Sequence, residues 1–205
     1  MSTDLAPAAQ RMEELLIGVT DEQLTAATPC VDYTLGDIID HVGGLAQAFT
    51  MAATKEESGS GAAKGPSGDA ARLDGRWRTR IPEQVAVLAK AWENPDAWQG
   101  MTRVGGFLEL PASVAGRVAL NELVVHGWDI ARASDQLYDC DEATLRTCLE
   151  VMTEMAEGAA DGPGEAGTGE AGSGPFGPAV AVPDEAPLLD RVIGISGRDP
   201  AWRSR

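Results

Sequence analysis

The chain has 205 residues and a mass of 21.4 kDa, enough for one domain with a sizeable core. It contains 32 Asp and Glu against 16 Lys and Arg, and the resulting net charge of −16 disfavours nucleic acid and anionic membrane surfaces as partners. Three cysteines without a Cys-x-x-Cys pair disfavour a disulfide framework and a thiolate zinc site. No apolar run reaches the roughly 18 residues that span a bilayer, and the first residues lack a signal-peptide pattern. We therefore predict a cytoplasmic protein.

Helical periodicity begins near the N-terminus. Apolar residues on one face predict a first amphipathic helix from about Leu5 to Val19. Thr34 and Asp37 resemble a capping box, with Asp in place of the usual Glu, and they predict the start of a second helix. The apolar stripe of that helix runs through residues 35–49 and carries His41 at its edge.

The next segments combine a helix with a change of period. A third helix is expected from near Asp69 to Trp92, and Pro82 either kinks it or starts a new segment. Residues 101–104 and 107–110 read as short strands on either side of Gly105-Gly106, which indicates a two-residue hairpin turn. Because an isolated hairpin is only marginally stable, we expect it to pack against the helices.

The second half contains the most apolar helix. Pro111 opens a central helix, residues 142–157 give a further amphipathic helix, and residues 187–195 give a short one that ends at Gly197. Gly-rich, polar stretches at about 55–68 and 158–174 are predicted to be mobile loops. The whole chain, 1–205, is thus predicted to be a single all-α domain, a helical bundle with a small β-hairpin insert and a C-terminal extension packed on the bundle.

The central helix also carries a polar column. Spacings of four and three residues place Glu122, His126 and Asp129 on one face of a helix that is otherwise apolar nearly all round. Buried charged groups of this kind need a partner or a cation. If the second helix packs against this face, His41 joins Glu122 and His126, and two imidazoles with a carboxylate form a metal-ligand set. The alternative is that both histidines are core residues hydrogen-bonded to Glu122 or Asp129. Asp129 is interpreted as orienting a ligand rather than as a ligand.

Two motifs resemble a known family. They are Asp-His-Val-Gly-Gly around His41, preceded by Thr-Pro-Cys and Tyr-Thr-Leu, and Asn-Glu-Leu-Val-Val-His-Gly-Trp-Asp-Ile-Ala from Asn121 to Ala131. Both resemble the DinB-like metal-binding superfamily, specifically the N-terminal domains of mycothiol-dependent maleylpyruvate isomerases, and the C-terminal residues resemble uncharacterised actinobacterial members. The resemblance implies a four-helix bundle with a metal, usually zinc, bound by His41, Glu122 and His126. The isomerase has a second, C-terminal domain, so its substrate is not carried over to this chain.

These features lead to two functional hypotheses. Three N and O ligands leave coordination positions open, as in catalytic zinc sites, and an open zinc can activate a thiol or water. The first hypothesis is therefore an enzyme that uses a small-molecule thiol, mycothiol by resemblance, to attack or isomerise an electrophile. The second is a non-catalytic metal-binding or sensing protein. A homodimer through Trp77 and Trp92 is a further alternative, although core packing is the favoured interpretation of both side chains.

Overall fold

The computed structural model describes residues 3–56, 66–106, 108–161 and 178–204. The loops expected at about 55–68 and 158–174 fall mainly on residues 57–65 and 162–177, which lie outside the described residues. Within the described ranges the chain is mostly helical, with one small sheet. The helices are α1 (Ala6–Gly18), α2 (Leu35–Thr54), α3 (Trp77–Trp92), α4 (Ala112–Ala133), α5 (Glu142–Asp161) and α6 (Leu188–Ile195).

The first four helices form the bundle. The principal contacts run from α1 to α3, from α3 to α2, from α2 to α4 and from α4 back to α1. Each helix contributes an apolar face to a common core, with Leu15, Ile39, Ile81 and Leu120 fully buried. This arrangement confirms the expected four-helix bundle, and it places the polar column of α4 next to α2.

Local signals position α2 and α3. The Thr34 side chain accepts a hydrogen bond from the Asp37 amide, and Asp37 accepts one from the Thr34 amide, so the expected capping box is present. The expected start of the third helix near Asp69 is wrong. Asp69 instead caps a short 3-10 turn over Ala70–Arg72, and α3 begins only at Trp77. Pro82 lies inside α3 without ending it.

The hairpin lies against the bundle as expected. Strands β1 (Met101–Val104) and β2 (Leu108–Pro111) pair antiparallel, with Val104 opposite Leu108. Gly105 and Gly106, predicted to form the turn, both have positive φ, and residue 107, predicted to start the second strand, lies outside the described residues. The Thr102 hydroxyl donates to the carbonyl of Ala52 near the end of α2, which fixes the hairpin to that helix.

The C-terminal extension packs on the bundle through α5 and α6. Helix α5 contacts α4, and α6 contacts α5. Val192 and Ile193 are fully buried, and a Cβ on Gly194 would lie only 2.3 Å from the Val182 side chain, so the segment before α6 also packs against it.

The two tryptophans proposed for an interface are core residues. Trp77 is 4% exposed and Trp92 is 2% exposed, and the Trp92 indole donates to the carbonyl of Phe49. Core packing is therefore the correct interpretation of both, and neither offers a surface for a dimer. In the described residues, no helix is both long enough and apolar enough to cross a membrane.

Candidate metal centre

Helices α2 and α4 bring three side chains of the expected ligand set together. His41 comes from α2, and Glu122 and His126 come from α4. One ligand atom from each lies within 4.8 Å of the others. The two imidazole rings are 4.9 Å apart between centroids and nearly perpendicular, at 88°. The packing of α2 on α4 therefore supplies the convergence that the sequence pattern required.

The pair on α4 has the spacing of two ligands of one ion. His126 Nε2 and Glu122 Oε2 are 3.1 Å apart, and both side chains are largely buried. Two ligand atoms at ordinary zinc distances and a tetrahedral angle would be separated by about 3.3 Å. A cation between them would need little rearrangement of α4.

Buried side chains form a chain of hydrogen bonds on the Nδ1 side of the His126 ring. Its Nδ1 lies 3.0 Å from Asp129 Oδ2, and the same oxygen accepts from Arg198 Nη2 at 3.1 Å. Asp129 is 0% exposed and Arg198 is 5% exposed. Burial opposes the charge on Arg198, but Asp129 outweighs this effect and raises the pKa of Arg198. Asp129 and Arg198 thus form a buried ion pair, and Asp129 joins this pair to the candidate ligand His126.

The pKa values of the two histidines are shifted in opposite directions. Burial, with the neighbouring His126, lowers the pKa of His41 to about 4, so its imidazole is neutral over the physiological range. Burial also acts to lower the pKa of His126, but hydrogen bonds to Asp129 and Glu122 outweigh it and raise that pKa. A neutral imidazole is the form that binds a metal.

The donor set fits a divalent cation better than a pair of core histidines. His126 does have the hydrogen bond to Asp129 that the core alternative requires. His41 Nδ1, however, is buried without a hydrogen-bond partner in the described residues. Buried polar atoms are normally satisfied, and an unpaired nitrogen beside a carboxylate and a second imidazole is placed to bind a cation.

The three side chains line a cavity of about 580 Å³. Polar residues at one part of its wall come from the loop before α2 and from residue 67, and Arg198 reaches it from the C-terminal tail. Apolar side chains come from α2, the hairpin, α4 and α5, and further apolar groups are Pro29, Val31, Pro66 and Pro178. A volume of this size is typical of small-molecule sites.

No cysteine in the chain is set up as a nucleophile. Cys30 lines the cavity, but burial raises the pKa of its thiol. Burial also raises the pKa of Cys140 to about 12 and raises that of the fully buried Cys148. The thiolate is the reactive form, so these residues are unreactive near neutral pH. The packing roles expected for Cys30 and Cys148 agree with this.

The sequence pattern did not indicate Arg198 as a site residue. Its position follows from the end of α6, where Arg198 N bonds to the carbonyl of Ile193 and Gly197 N bonds to that of Gly194. With Gly197 at φ 77, this is a Schellman motif, which turns the chain back on the helix end. The Gly-Arg step directly after an amphipathic helix was the available signal. It does not reveal which residue the arginine meets.

Comparison with known proteins identifies the family. The family model described as the mycothiol maleylpyruvate isomerase N-terminal domain matches residues 5–131. The chain belongs to this family. The resemblance of the His41 and Glu122–Asp129 motifs is thereby confirmed, and the matched region includes all three candidate ligands and Asp129.

Relatives extend the family match over most of the chain. Two uncharacterized proteins of Mycobacterium tuberculosis, from strains CDC 1551 and H37Rv, are each 31% identical over 187 residues, or 90% of both chains. Crystal structures of the mycothiol-dependent maleylpyruvate isomerase and of a histidine-to-alanine mutant of it align with TM-scores of 0.59 and 0.56. They share 20% and 18% identity and cover 76% and 78% of this chain, and 69% and 70% of theirs. These alignments show a common helical fold.

Proposed function

We propose that this protein is a metal-dependent enzyme of small-molecule thiol chemistry. His41, Glu122 and His126 bind a divalent metal, zinc, and the protein uses mycothiol as cosubstrate for transfer to an electrophile or for isomerisation through such an adduct. The observation that carries this proposal is the convergence of the three ligand atoms on the wall of a 580 Å³ cavity. A structural zinc would be enclosed by four protein ligands, whereas three ligands facing a cavity suit a catalytic ion.

The protein groups have separate tasks in this proposal. His41, Glu122 and His126 hold the ion, and Asp129 accepts a hydrogen bond from His126 Nδ1, which leaves Nε2 for coordination. When bound, zinc lowers the pKa of a coordinated thiol and so provides a nucleophile near neutral pH. Leu45, Phe49 and Val118 supply buried apolar wall beside the ligands.

Mycothiol is proposed from the family. The matching family description and the two isomerase structures name it for those proteins, and the raised pKa values of this chain's cysteines indicate that the reacting thiol comes from outside. We propose a cytoplasmic location, where such thiols are reduced, as the sequence also predicted. The electrophile is not transferred from the relatives.

The test starts with metal. Zinc bound by the wild type and by His41→Ala and His126→Ala variants is counted by elemental analysis, and each variant should lose most of its zinc because two ligands rarely hold the ion. Glu122→Gln keeps the side-chain shape and removes the anionic ligand, so it should weaken zinc binding without unfolding. Equal zinc in wild type and both histidine variants would refute the site.

The thiol is tested separately by calorimetry of mycothiol binding in buffers of different ionisation enthalpy. The zinc-loaded protein should bind mycothiol with release of a proton, and the Cys30→Ser variant should behave like the wild type. Binding that is absent, or unchanged after zinc removal, would leave a non-catalytic metal-binding or sensing protein as the better account.

A further inference from the structure

The ligand-bearing faces of both helices continue as apolar columns toward the hairpin. On α2, Leu45 and Phe49 follow His41 at spacings of four residues and therefore lie on the same face. Both are buried and both line the cavity, at 9% and 3% exposure. From His41 to Phe49 the column extends about 12 Å along the helix.

Helix α4 shows the same continuation. Val118 precedes Glu122 by four residues, as Glu122 precedes His126, and Val118 is 8% exposed and lines the cavity. The hairpin directly precedes α4, and Val104 and Leu108 complete this apolar end of the cavity. The two columns thus lead from the candidate ligands to the same apolar end.

The opposite end of the cavity has mixed polarity. The loop before α2 supplies Asp32 and Tyr33 together with the less polar Pro29, Cys30 and Val31, and Ser67 follows Pro66. The Tyr33 hydroxyl accepts a hydrogen bond from the Gly68 amide, and its ring is 5.5 Å from that of His41. His41 therefore lies between an apolar end and an end that also contains polar groups. Mycothiol, a hydroxyl-rich cysteinyl conjugate, matches the end with the polar groups, which leaves the apolar end for the second substrate.

Charge further restricts that substrate. Among the described residues that line the cavity, Arg198 is the only Lys or Arg, and its guanidinium is bonded to Asp129 and to the carbonyl of Ser196. Asp32 and Glu122 add negative charge to the wall. In the proposed function the charge of the zinc ion is offset by Glu122 and by the anionic sulfur, so a dicarboxylate would meet no net positive charge and would lose its hydration at the apolar end.

We infer that the electrophile is an uncharged, apolar compound, such as an α,β-unsaturated ester or ketone, bound along Leu45, Phe49 and Val118. This inference rests on the proposed function. In the reaction, the thiol sulfur forms a bond to one alkene carbon, the C=C π bond breaks, and the thiol proton ends on the neighbouring carbon. No oxidant or reductant is consumed.

Dimethyl maleate and maleate test the inference because they share a carbon skeleton and differ by two charges. The zinc-loaded protein is mixed with mycothiol and either compound, and adduct formation is followed by mass spectrometry and divided by the uncatalysed rate in the same buffer. The enhancement should be at least about tenfold greater for the ester, because the apolar end penalises a buried carboxylate. Equal enhancement, or a preference for maleate, would overturn the inference.

A matched pair of hairpin variants adds a cation at or away from the cavity. Leu108 lines the cavity and is 47% exposed, whereas Met101 is 53% exposed on the paired strand and does not line it. Leu108→Arg should reduce the preference for the ester, and Met101→Arg should leave it unchanged. An identical response of the two variants would contradict the assigned position of the electrophile.

A binding measurement separates this inference from the proposed function. The mycothiol conjugates of dimethyl maleate and of maleate are titrated into the zinc-loaded and zinc-free protein by calorimetry, and the ester conjugate should bind more tightly. If neither electrophile reacts, the proposed enzymatic function is rejected. The relative affinities of the two conjugates then test by themselves whether the cavity prefers an uncharged compound. No binding of either conjugate, or tighter binding of the maleate conjugate, overturns it.

Discussion

Helix α4 is buried on two opposite faces that are stabilised in different ways. One face carries Leu120, Val124 and Ala131, all 0% exposed and all apolar. The other carries the column of Glu122, His126 and Asp129.

On the apolar face, any neighbour of the right volume contributes, because the hydrophobic effect is non-directional. On the polar face, each buried group requires a particular partner. Both faces pack on distant segments of the chain, but only the polar face depends on particular side chains in them.

The largest effect is expected from breaking the buried ion pair. Arg198→Met removes the cationic partner of the fully buried Asp129, and loss of one partner of such a pair costs about 3–5 kcal/mol of unfolding free energy. Urea unfolding of the metal-free protein measures it. Arg203→Gln, at an exposed arginine of the same tail, is the control and should change stability by less than about 0.5 kcal/mol.

A double-mutant cycle sharpens this result. Asp129→Asn alone removes an anionic partner of the buried Arg198, so it should also destabilise the protein. The combined Asp129→Asn and Arg198→Met variant should lose less than the sum of the single losses. Strictly additive losses would mean that the two residues do not act as a pair.

The apolar face should give the next effect. Leu120→Ala removes buried methyl groups and leaves a cavity, which costs about 2–5 kcal/mol. Leu137, which is 89% exposed, provides the matched control, and Leu137→Ala should be nearly neutral. Both are compared by urea unfolding. A small loss for Leu120→Ala would show that this face can collapse around the missing side chain.

A smaller effect is expected when Asp129, the hydrogen-bond partner of His126, is changed and zinc affinity is measured. Asp129→Asn should weaken zinc affinity by about 10- to 100-fold, equal to about 1.4–2.7 kcal/mol, because His126 loses an anionic acceptor. A competitive chelator titration measures the affinity, and Asp139→Asn, with a side chain 94% exposed, is the control. Complete loss of zinc in a folded variant would instead identify Asp129 as a direct ligand.

The smallest effect concerns the cap that starts α2 and so positions His41. Thr34→Ala should cost about 1 kcal/mol at neutral pH. The hydrogen bond from Thr34 is the main cause of the lowered pKa of Asp37, so the stability it provides is present above the ordinary carboxyl pKa and is lost as pH falls through the lower folded value. The deficit of the variant should therefore shrink in acid.

Urea unfolding at neutral and acidic pH follows this change. Thr153→Ala is the control, since the exposed Thr153 hydroxyl only bonds back to its own helix. A deficit that stays constant from neutral to acidic pH would show that the ionised form of Asp37 does not take part in the cap.

Short-range patterns determined much of this protein. A period of 3.6 residues was enough to place Glu122, His126 and Asp129 on one face. The capping box at Thr34 and the glycine pair of the hairpin could also be recognised from the sequence. These features depend on residues only a few positions apart, where backbone geometry sets which side chains meet. The start of α3 was predicted too early because Leu73 lies at helical spacing from Trp77 although it ends the 3-10 turn and lies outside the helix.

Tertiary structure alone decided the partners of the polar face. The convergence of His41 with α4 was a hypothesis until helix packing placed α2 there, and the contact between Arg198 and Asp129 joins residues 69 positions apart. Gly197 indicates that the chain turns after α6, but not which side chain it will meet. A buried charge is stabilised by whichever opposite charge the fold brings to it, and this depends on the packing of whole elements rather than on any local period.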